Sequence, residues 1–419
     1  MRRQLPNPRE LAALMRFERV RLDRTAARLA RAADVGDLRA LARRRTPTPA
    51  FDYVDGAALA ELSYRRTRQA FEATELVPRT LAGVGEVDMS TTIAGVRSAL
   101  PFGIAPTGFT RFMHAEGEIA GVRAARDAGI PFTLSTMGTR SVEEVTEAAP
   151  DARRWFQLYL WRDRAASRQL LERAHDAGYD TLLVTVDTPV AGQRLRDVRN
   201  GMTIPPRLTW RTVLDASYRP AWWFDFLTTD PLTFASLTGT ASDLPTLING
   251  MFDPTLSLDD LRWVRSVWPG TLFVKGVLTP SDARRAVDAG ADGLVVSNHG
   301  GRQLDRAPVP LRVLPSIRAE VGPDVGLVLD SGILSGSDIV TALCAGADFT
   351  LVGRAYLYGL MAGGQRGVVR VIDLLAAEVR TTMLLLGAAT VADLGPHMLR
   401  FRWDADDGPG AGERAPALA

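Results

Sequence analysis

Residues 297–305 combine a histidine, two glycines and an arginine directly after an apolar run. The run, residues 293–296, has the composition of a buried strand, and His299 is one of only four histidines in the chain. Arg302 follows three residues later. A titratable base at the C-terminal end of a strand, with a cation nearby, is how a parallel β/α protein builds a site for an anionic substrate. We therefore interpret this run as the centre of a catalytic site.

Other apolar runs also end in polar residues. Side chains two residues apart in a strand point to the same side of a sheet. This spacing occurs in three polar pairs, which are Gln157 and Tyr159, Thr185 and Asp187, and Ser297 and His299. Lys275 lies inside a further run, where a lysine needs an anionic partner because burying its charge alone is unfavourable. The pattern predicts that polar groups converge where the strands end.

Small residues and glycines follow the first run and the last two. The first run ends in Ala105, Pro106, Thr107 and Gly108. Their small bulk suits a flat group that lies against the backbone. The last two runs end in Asp330-Ser331-Gly332 and in Gly353-Arg354. Barrel proteins most often hold a phosphate group in the turns after strands seven and eight, so these turns predict a phosphate site.

These residues must be positioned by a regular alternation of strands and helices. The apolar runs are residues 102–105, 131–135, 154–160, 181–186, 272–276, 293–298, 326–330 and 349–353. Helical patterns separate them at residues 116–128, 141–149, 163–177, 281–289, 310–321 and 335–345. Glycines just past five of these helices fit left-handed caps. Eight nearly all-apolar strands with helical crossovers predict an α/β fold, a (β/α)8 TIM barrel, rather than an open sheet.

The remaining chain divides into an extension, an insertion and a tail. We expect residues 1–99 to form a helical extension that packs on the barrel. Within it, residues 24–71 are expected to be helical and to plug or flank the barrel bottom, with Phe51-Asp52-Tyr53 in a bend. The barrel domain spans residues 100–395, and residues 396–419 are expected to be disordered. An insertion at residues 188–270 after the fourth strand holds five of the eight tryptophans. Its aromatic residues either pack onto the barrel or lie in a membrane interface.

Composition limits the classes of protein that remain possible. A hydrophobic content of 46%, a charged content of 23% and a net charge of +2 are typical of a soluble globular protein without a nucleic-acid partner. Residues 1–45 carry thirteen arginines and five acids, which indicates a solvated helical arm or a contact with anionic lipid. Cys344, the single cysteine, is expected to be buried in a helix. We see no signal peptide or membrane-spanning run and expect a cytoplasmic protein, with peripheral contact at the inner face of the membrane as the alternative.

On these residues the chain resembles the FMN-dependent 2-hydroxy acid dehydrogenases and oxidases, from about residue 35 to 395. The specific motifs are residues 297–305, the turn Thr185-Val186-Asp187-Thr188-Pro189 and the strand Phe156-Gln157-Leu158-Tyr159. The likeness is strongest to bacterial L-lactate dehydrogenases of the actinobacterial type. It includes residues 105–109 and Arg196-Asp197-Val198-Arg199-Asn200. The resemblance implies oxidation of an L-2-hydroxy acid such as L-lactate, FMN as cofactor, no metal, and a homo-oligomer, most simply a tetramer.

The resemblance also implies roles for individual residues. His299 matches the catalytic base, Asp187 the carboxylate that pairs with it, and Tyr159 the hydroxyl that bonds the substrate oxygen. Tyr53, Arg194 and Arg302 match the groups around the substrate carboxylate. The matches to flavin contacts are Ala105, Pro106, Thr107, Ser135, Gln157, Thr185, Lys275 and Ser297, and those to the ribityl-phosphate loops are Asp330, Gly332, Gly353 and Arg354.

Two positions bear on how this chain differs from other members. Leu334 stands where many members carry an arginine aimed at the phosphate, which puts the affinity for FMN in question. Gly108 resembles dehydrogenase members that react poorly with oxygen, and this favours a membrane quinone as electron acceptor. The alternatives are an oxygen-using lactate oxidase or monooxygenase, and a mandelate-type dehydrogenase. A non-redox, phosphate-binding barrel enzyme and an inactive flavin-binding protein are the alternatives from other classes.

Overall fold

A closed barrel of eight parallel strands lies at the centre of the computed structural model, which describes residues 22–201, 217–229 and 253–402. The strands of the described chain are β1 (Thr74–Leu76), β2 (Thr91–Ile93), β3 (Val96–Ser98), β4 (Phe102–Ile104), β5 (Phe132–Ser135), β6 (Arg154–Leu158), β7 (Thr181–Thr185), β8 (Thr271–Val277), β9 (Gly293–Val296), β10 (Gly326–Leu329), β11 (Phe349–Val352) and β12 (Leu399–Phe401). Strands β4 to β11 follow one another around the barrel, and β11 pairs with β4 to close it. The predicted TIM barrel is therefore confirmed.

Helices connect the strands and surround them. The described helices are α1 (Arg24–Arg31), α2 (Val35–Arg45), α3 (Thr48–Asp55), α4 (Leu62–Glu72), α5 (Thr110–Met113), α6 (Gly117–Asp127), α7 (Val142–Ala148), α8 (Arg164–Asp176), α9 (Leu195–Arg199), α10 (Pro220–Thr228), α11 (Leu258–Val267), α12 (Pro280–Asp288), α13 (Pro310–Val321), α14 (Gly336–Cys344) and α15 (Arg354–Leu386). The six helical patterns of the sequence correspond to α6, α7, α8, α12, α13 and α14. The glycine after each of them, except α7, has a positive φ, as a left-handed cap requires. Cys344 is buried at the end of α14.

The barrel interior is filled by large apolar side chains. Trp155, Phe273 and Phe349 are buried there, and the ring of Trp155 contacts the rings of the other two. Ile93, from the antiparallel hairpin of β2 and β3, packs against this cluster, and its carbonyl accepts a hydrogen bond from Arg153, just before β6. The hairpin therefore closes the N-terminal end of the barrel.

Helices α3 and α4, which precede the barrel, do not lie at its bottom, contrary to the prediction. The carbonyls of Tyr53 and Val54 in α3 accept hydrogen bonds from Arg302 and Arg354, which follow β9 and β11. The Ser63 amide in α4 donates to Asp305, which also follows β9, at 2.9 Å. Helices α3 and α4 therefore cover the C-terminal ends of the strands. Residues 51–53 lie inside α3 rather than in a bend. The reason is that Ala50, Phe51 and Val54 share one buried face, a spacing that a helix provides.

The end of the described chain is also more ordered than predicted. Strand β12 pairs in antiparallel register with β1, with Thr74 opposite Phe401. Met398, in a single helical turn just before β12, is buried. The prediction of disorder from residue 396 is therefore wrong for residues 396–402, because backbone pairing and an apolar contact hold them. Residues 403–419 lie outside the described residues.

The insertion contributes aromatic residues both to the barrel and to the surface. Trp268, just after α11, is 1% exposed, and Trp222 of α10 donates a hydrogen bond from its indole to the carbonyl of Phe112 at 3.0 Å. Phe224 and Leu227, in contrast, are 69% and 72% exposed. Trp210 lies outside the described residues. Within the described chain, no helix combines the length and apolarity needed to cross a membrane.

Candidate active site

The C-terminal ends of all eight barrel strands surround one cavity, which α3 and α4 cover from above. The predicted site residues that line it are Tyr53, Ala105, Pro106, Thr107, Ser135, Gln157, Tyr159, Thr185, Arg194, Lys275, His299, Arg302, Asp330, Gly332, Gly353 and Arg354. The other two, Asp187 and Ser297, lie directly behind His299 and Lys275. The structure thus brings together residues that are up to 301 positions apart, from 53 to 354.

His299 faces the cavity with a carboxylate behind it. Its Nδ1 lies 3.0 Å from Asp187 Oδ1 and 3.2 Å from Oδ2. Its Nε2 lies 3.5 Å from the Tyr159 hydroxyl. Burial acts to raise the pKa of Asp187, but the charge and hydrogen bond of His299 and the charge of Lys275 outweigh it, so the pKa lies below its ordinary value. Asp187 is therefore an anion that stabilises a positive charge on His299.

A strained turn presents the histidine ring. His299 has a φ of 57°, which is uncommon for a residue with a side chain, and Gly300 and Gly301 continue in the left-handed region. Asn298 caps the turn by accepting a hydrogen bond from the Gly301 amide at 3.0 Å, and Ser331 accepts one from the Gly300 amide at 2.9 Å. A Cβ at Gly301 would lie 2.8 Å from the backbone nitrogen of Tyr64, so the close approach of α4 requires glycine there.

Two guanidinium groups converge on the ring of Tyr53. Arg302 lies 4.9 Å from the ring centroid and Arg194 lies 5.6 Å from it. Burial and the nearby charge of Arg194 lower the pKa of Arg302 to about 10. Asp197 accepts a hydrogen bond from Arg194 Nε at 2.6 Å and fixes that side chain. Two half-buried cations that oppose each other favour an anion between them, because a bound carboxylate would relieve their repulsion.

A chain of hydrogen bonds crosses the ends of β5, β6 and β7. Ser135 donates to the side-chain carbonyl of Gln157 at 2.8 Å, and the Gln157 amide donates to Thr185 at 2.9 Å. Lys275 contacts the Ser297 hydroxyl at 3.0 Å and the Asp330 carboxylate at 3.2 Å. Burial acts to lower the pKa of Lys275, but the charges of Asp330 and Asp187 raise it above its ordinary value. Lys275 therefore remains a buried cation, with the anionic partner that the sequence requires.

Arg354 binds backbone rather than standing free in the cavity. It donates to the carbonyls of Val54 at 3.0 Å, Gly300 at 2.8 Å and Gly56 at 2.8 Å, and it lies over the ring of Tyr64. It thereby joins the covering helices to the histidine turn. Its neighbour Gly353 borders open space, since a Cβ added there would meet only Ala105 within 4 Å, at 3.7 Å.

Sequence reasoning missed a network that holds the substrate side of the cavity. Asp55 is buried and accepts hydrogen bonds from Arg39 at 2.9 Å, from Arg196 at 3.0 Å and from the Tyr358 hydroxyl at 2.8 Å. Arg196 belongs to α9, directly after Arg194, whereas Asp55 ends the helix that carries Tyr53. The family-like motif at residues 196–200 includes Arg196, but no local pattern indicates that the partner of Arg196 is Asp55.

Comparison with known proteins settles the class of this barrel. The model of the FMN-dependent dehydrogenases matches residues 42–401. The chain belongs to this family. It is 55% identical to a Mycobacterium tuberculosis protein that carries the provisional name L-lactate dehydrogenase, over 96% of this chain and 97% of that protein. It is 43% identical to the L-lactate dehydrogenase of Caulobacter vibrioides, over 87% of this chain and 97% of that one. The crystal structure of the monotopic membrane protein (S)-mandelate dehydrogenase is also similar, with a TM-score of 0.85, 36% identity, and coverage of 88% of this chain and all of that one.

The cavity fits the cofactor of the family, FMN. Residues 105–107, which line it, have small side chains. The space beside Gly353 would accept the edge of a flat or extended ligand. The amide of Gln157 and the ammonium group of Lys275 line the same cavity, and both residues are less than 5% exposed. Polar groups so deeply buried in a cavity match a heteroaromatic ring that carries several acceptors. The protein is an FMN-dependent oxidoreductase that acts on a CH–OH donor.

Proposed function

We propose that this protein oxidises L-lactate to pyruvate and that His299 is the base of the reaction. The observation that carries the proposal is the His299–Asp187 pair, which faces the same cavity as the opposed cations Arg194 and Arg302. An α-hydroxy acid offers a carboxylate for the cations and a proton for the base. Relatives named L-lactate dehydrogenase, at 42–55% identity, support lactate as the substrate.

Each side chain has a defined task in this proposal. Arg302 and Arg194 bind the substrate carboxylate through charge-assisted hydrogen bonds, and the Tyr53 hydroxyl adds a third donor. Tyr159 bonds the substrate oxygen. His299 takes a proton from the substrate as it is oxidised, and Asp187 stabilises the resulting imidazolium. FMN, when bound, supplies the acceptor for the two electrons that leave the substrate.

The placement of the lining residues supports a proposed set of cofactor contacts. Gln157, with Ser135 and Thr185 behind it, offers an oriented amide, and Lys275 places a positive charge where negative charge develops on reduction. The remaining proposed contacts are Ala105, Pro106, Thr107, Ser297, Asp330, Gly332, Gly353 and Arg354. Leu334 also lines the cavity and offers no charge. Arg354, which has two N–H groups beyond the three that bind carbonyls, and backbone amides would therefore bind the phosphate.

We further propose that the electrons pass to a membrane quinone and that the protein works as a homotetramer at the inner face of the membrane. Gly108 in the active-site cavity and the exposed aromatic residues of α10 support this extension. The similarity to a monotopic (S)-mandelate dehydrogenase supports it as well. Fast turnover with a soluble quinone analogue and slow peroxide formation in air are expected. Rapid, stoichiometric oxygen consumption would identify an oxidase instead.

Anaerobic mixing with a panel of 2-hydroxy acids tests the reaction. L-lactate should bleach the absorbance of bound FMN faster than mandelate or longer acids. His299→Ala should retain FMN but lose almost all of this reduction, since no other described base lies at the same position. His397→Ala, at an exposed histidine outside the cavity, is the matched control and should react as the wild type does. Normal reduction of His299→Ala by L-lactate would show that the base is misassigned.

A further inference from the structure

A second cavity lies where the N-terminal helices meet α10. The segment at residues 108–114 separates it from the active site, since Gly108 and Phe109 line the active-site cavity, whereas Met113 and His114 line the second one. The arginines around it are Arg28, Arg44, Arg45, Arg111 and Arg219. Asp225 is the one carboxylate among the described residues of its lining. The cavity is therefore strongly cationic.

Part of this positive charge is not neutralised within the described chain. Arg45 is half-buried and donates a hydrogen bond to the Thr25 hydroxyl at 3.1 Å. In the described residues no carboxylate forms an ion pair with Arg28, Arg44 or Arg45. Burial and the charge of Arg28 lower the pKa of Arg45. Arg28 and Arg44 are exposed beside Arg45. Like charges that repel one another around a half-buried arginine are stabilised when an anion enters, and arginine forks match phosphate oxygens.

Helix α10 places an apolar surface beside this cavity. Its Trp222, Asp225 and Phe226 line the cavity, and Trp222 is anchored on Phe112. On the other side of the helix Phe224 and Leu227 are 69% and 72% exposed. The two exposed apolar side chains suit the acyl-chain boundary of a lipid surface, and the adjoining cationic cavity suits its anionic headgroups.

We propose that this cavity binds the phosphate headgroup of an anionic phospholipid while Phe224 and Leu227 enter the adjoining interface. Arg28, Arg44 and Arg45 would contact the phosphate oxygens. The proposal deepens the membrane part of the proposed function, on which it rests, by naming the lipid class and the residues that select it. A free phosphate ester shares the headgroup chemistry, but the exposed apolar pair favours the lipid.

Co-sedimentation of the FMN-loaded, full-length protein with vesicles tests the proposal. Binding to phosphatidylcholine vesicles that contain phosphatidylglycerol should exceed binding to pure phosphatidylcholine. Each arginine near an anionic surface contributes about a fivefold gain in affinity, so Arg44→Gln/Arg45→Gln should bind about thirtyfold more weakly. Arg284→Gln/Arg285→Gln, on α12 outside the cavity, removes the same net charge and should bind as the wild type does. Phe224→Ser should weaken binding to both kinds of vesicle.

The outcomes separate this proposal from its alternatives. Equal losses in the cavity variant and the α12 control would overturn it, because the attraction would then be a general surface effect. Tight binding of inorganic phosphate without vesicle binding would also overturn it, in favour of a soluble ligand. Arg28→Gln, at an exposed residue, repeats the test if the double variant misfolds. Flavin reduction by L-lactate should be unchanged in all these variants, so failure of the lactate assignment would be seen independently of vesicle binding.

Discussion

Replacing Asp187 by asparagine removes one charge while it preserves the shape of the side chain. The lost carboxylate oxygens lie 3.0 and 3.2 Å from His299 Nδ1. Two unit charges about 4 Å apart interact by about 4 kcal/mol at an effective dielectric constant of about 20. The two side chains are 12% and 23% exposed, so water screens part of this attraction. We expect the barrier to proton transfer to rise by about 2–4 kcal/mol, which slows flavin reduction about 30- to 1000-fold.

Stopped-flow reduction of the bound FMN by L-lactate, under anaerobic conditions, measures this step directly. Asp187→Asn should lower the limiting reduction rate and leave the half-saturating lactate concentration almost unchanged. Asp197→Asn is the matched control, since Asp197 contacts Arg194 and not His299. It should mainly raise the half-saturating concentration, because Arg194 loses the partner that orients it. A limiting rate for Asp187→Asn within about threefold of the wild type, at normal FMN content, would refute the charge-stabilisation argument.

Two further substitutions test buried charges. Lys275→Met should lower the free energy of unfolding, measured by urea titration, by about 3–5 kcal/mol, because Asp330 would remain buried without its cation. The double variant Lys275→Met/Asp330→Asn should regain much of this loss. A single variant as stable as the wild type would contradict the buried ion pair. Burial raises the pKa of Glu118, whose carboxylate accepts two hydrogen bonds from Thr139. The folded protein therefore binds this proton more tightly than the unfolded chain, and its stability should fall as the pH rises above about 4.5. Glu118→Gln should flatten that dependence, and an unaltered slope of unfolding free energy against pH would argue against the assignment.

The barrel was predictable because its signals are local. A strand buried on both faces reads as an apolar run, and a glycine after a helix marks a left-handed cap. The eight strands and the flanking helices follow from these two patterns. The position of a catalytic group at the C-terminal end of its strand follows from the parallel topology. Residues such as His299, Lys275 and Gln157 can therefore be assigned to one site from the sequence.

The wrong predictions concern segments whose partners are far away in the chain. Strand β12 has three residues and no periodic pattern, and its order depends on pairing with β1 at the other end of the chain. The placement of α3 and α4 over the C-terminal ends of the strands depends on carbonyls that receive Arg302 and Arg354. Such contacts leave no signature in the neighbouring residues. Local pattern therefore indicated helices there but not the end of the barrel that they cover.

Short stretches of chain are enough to predict the barrel, the family-specific turn around His299 and the chemical groups at each strand end, because each depends on neighbouring residues. How these groups are used depends on contacts between distant elements. The tertiary structure placed Asp197 on Arg194, made Asp55 a shared acceptor for Arg39, Arg196 and Tyr358, and engaged Arg354 with backbone carbonyls. The physical reason is that a hydrogen bond or ion pair forms only when its two groups are positioned to within a few tenths of an ångström. Only the packed core brings groups from distant elements together with that accuracy.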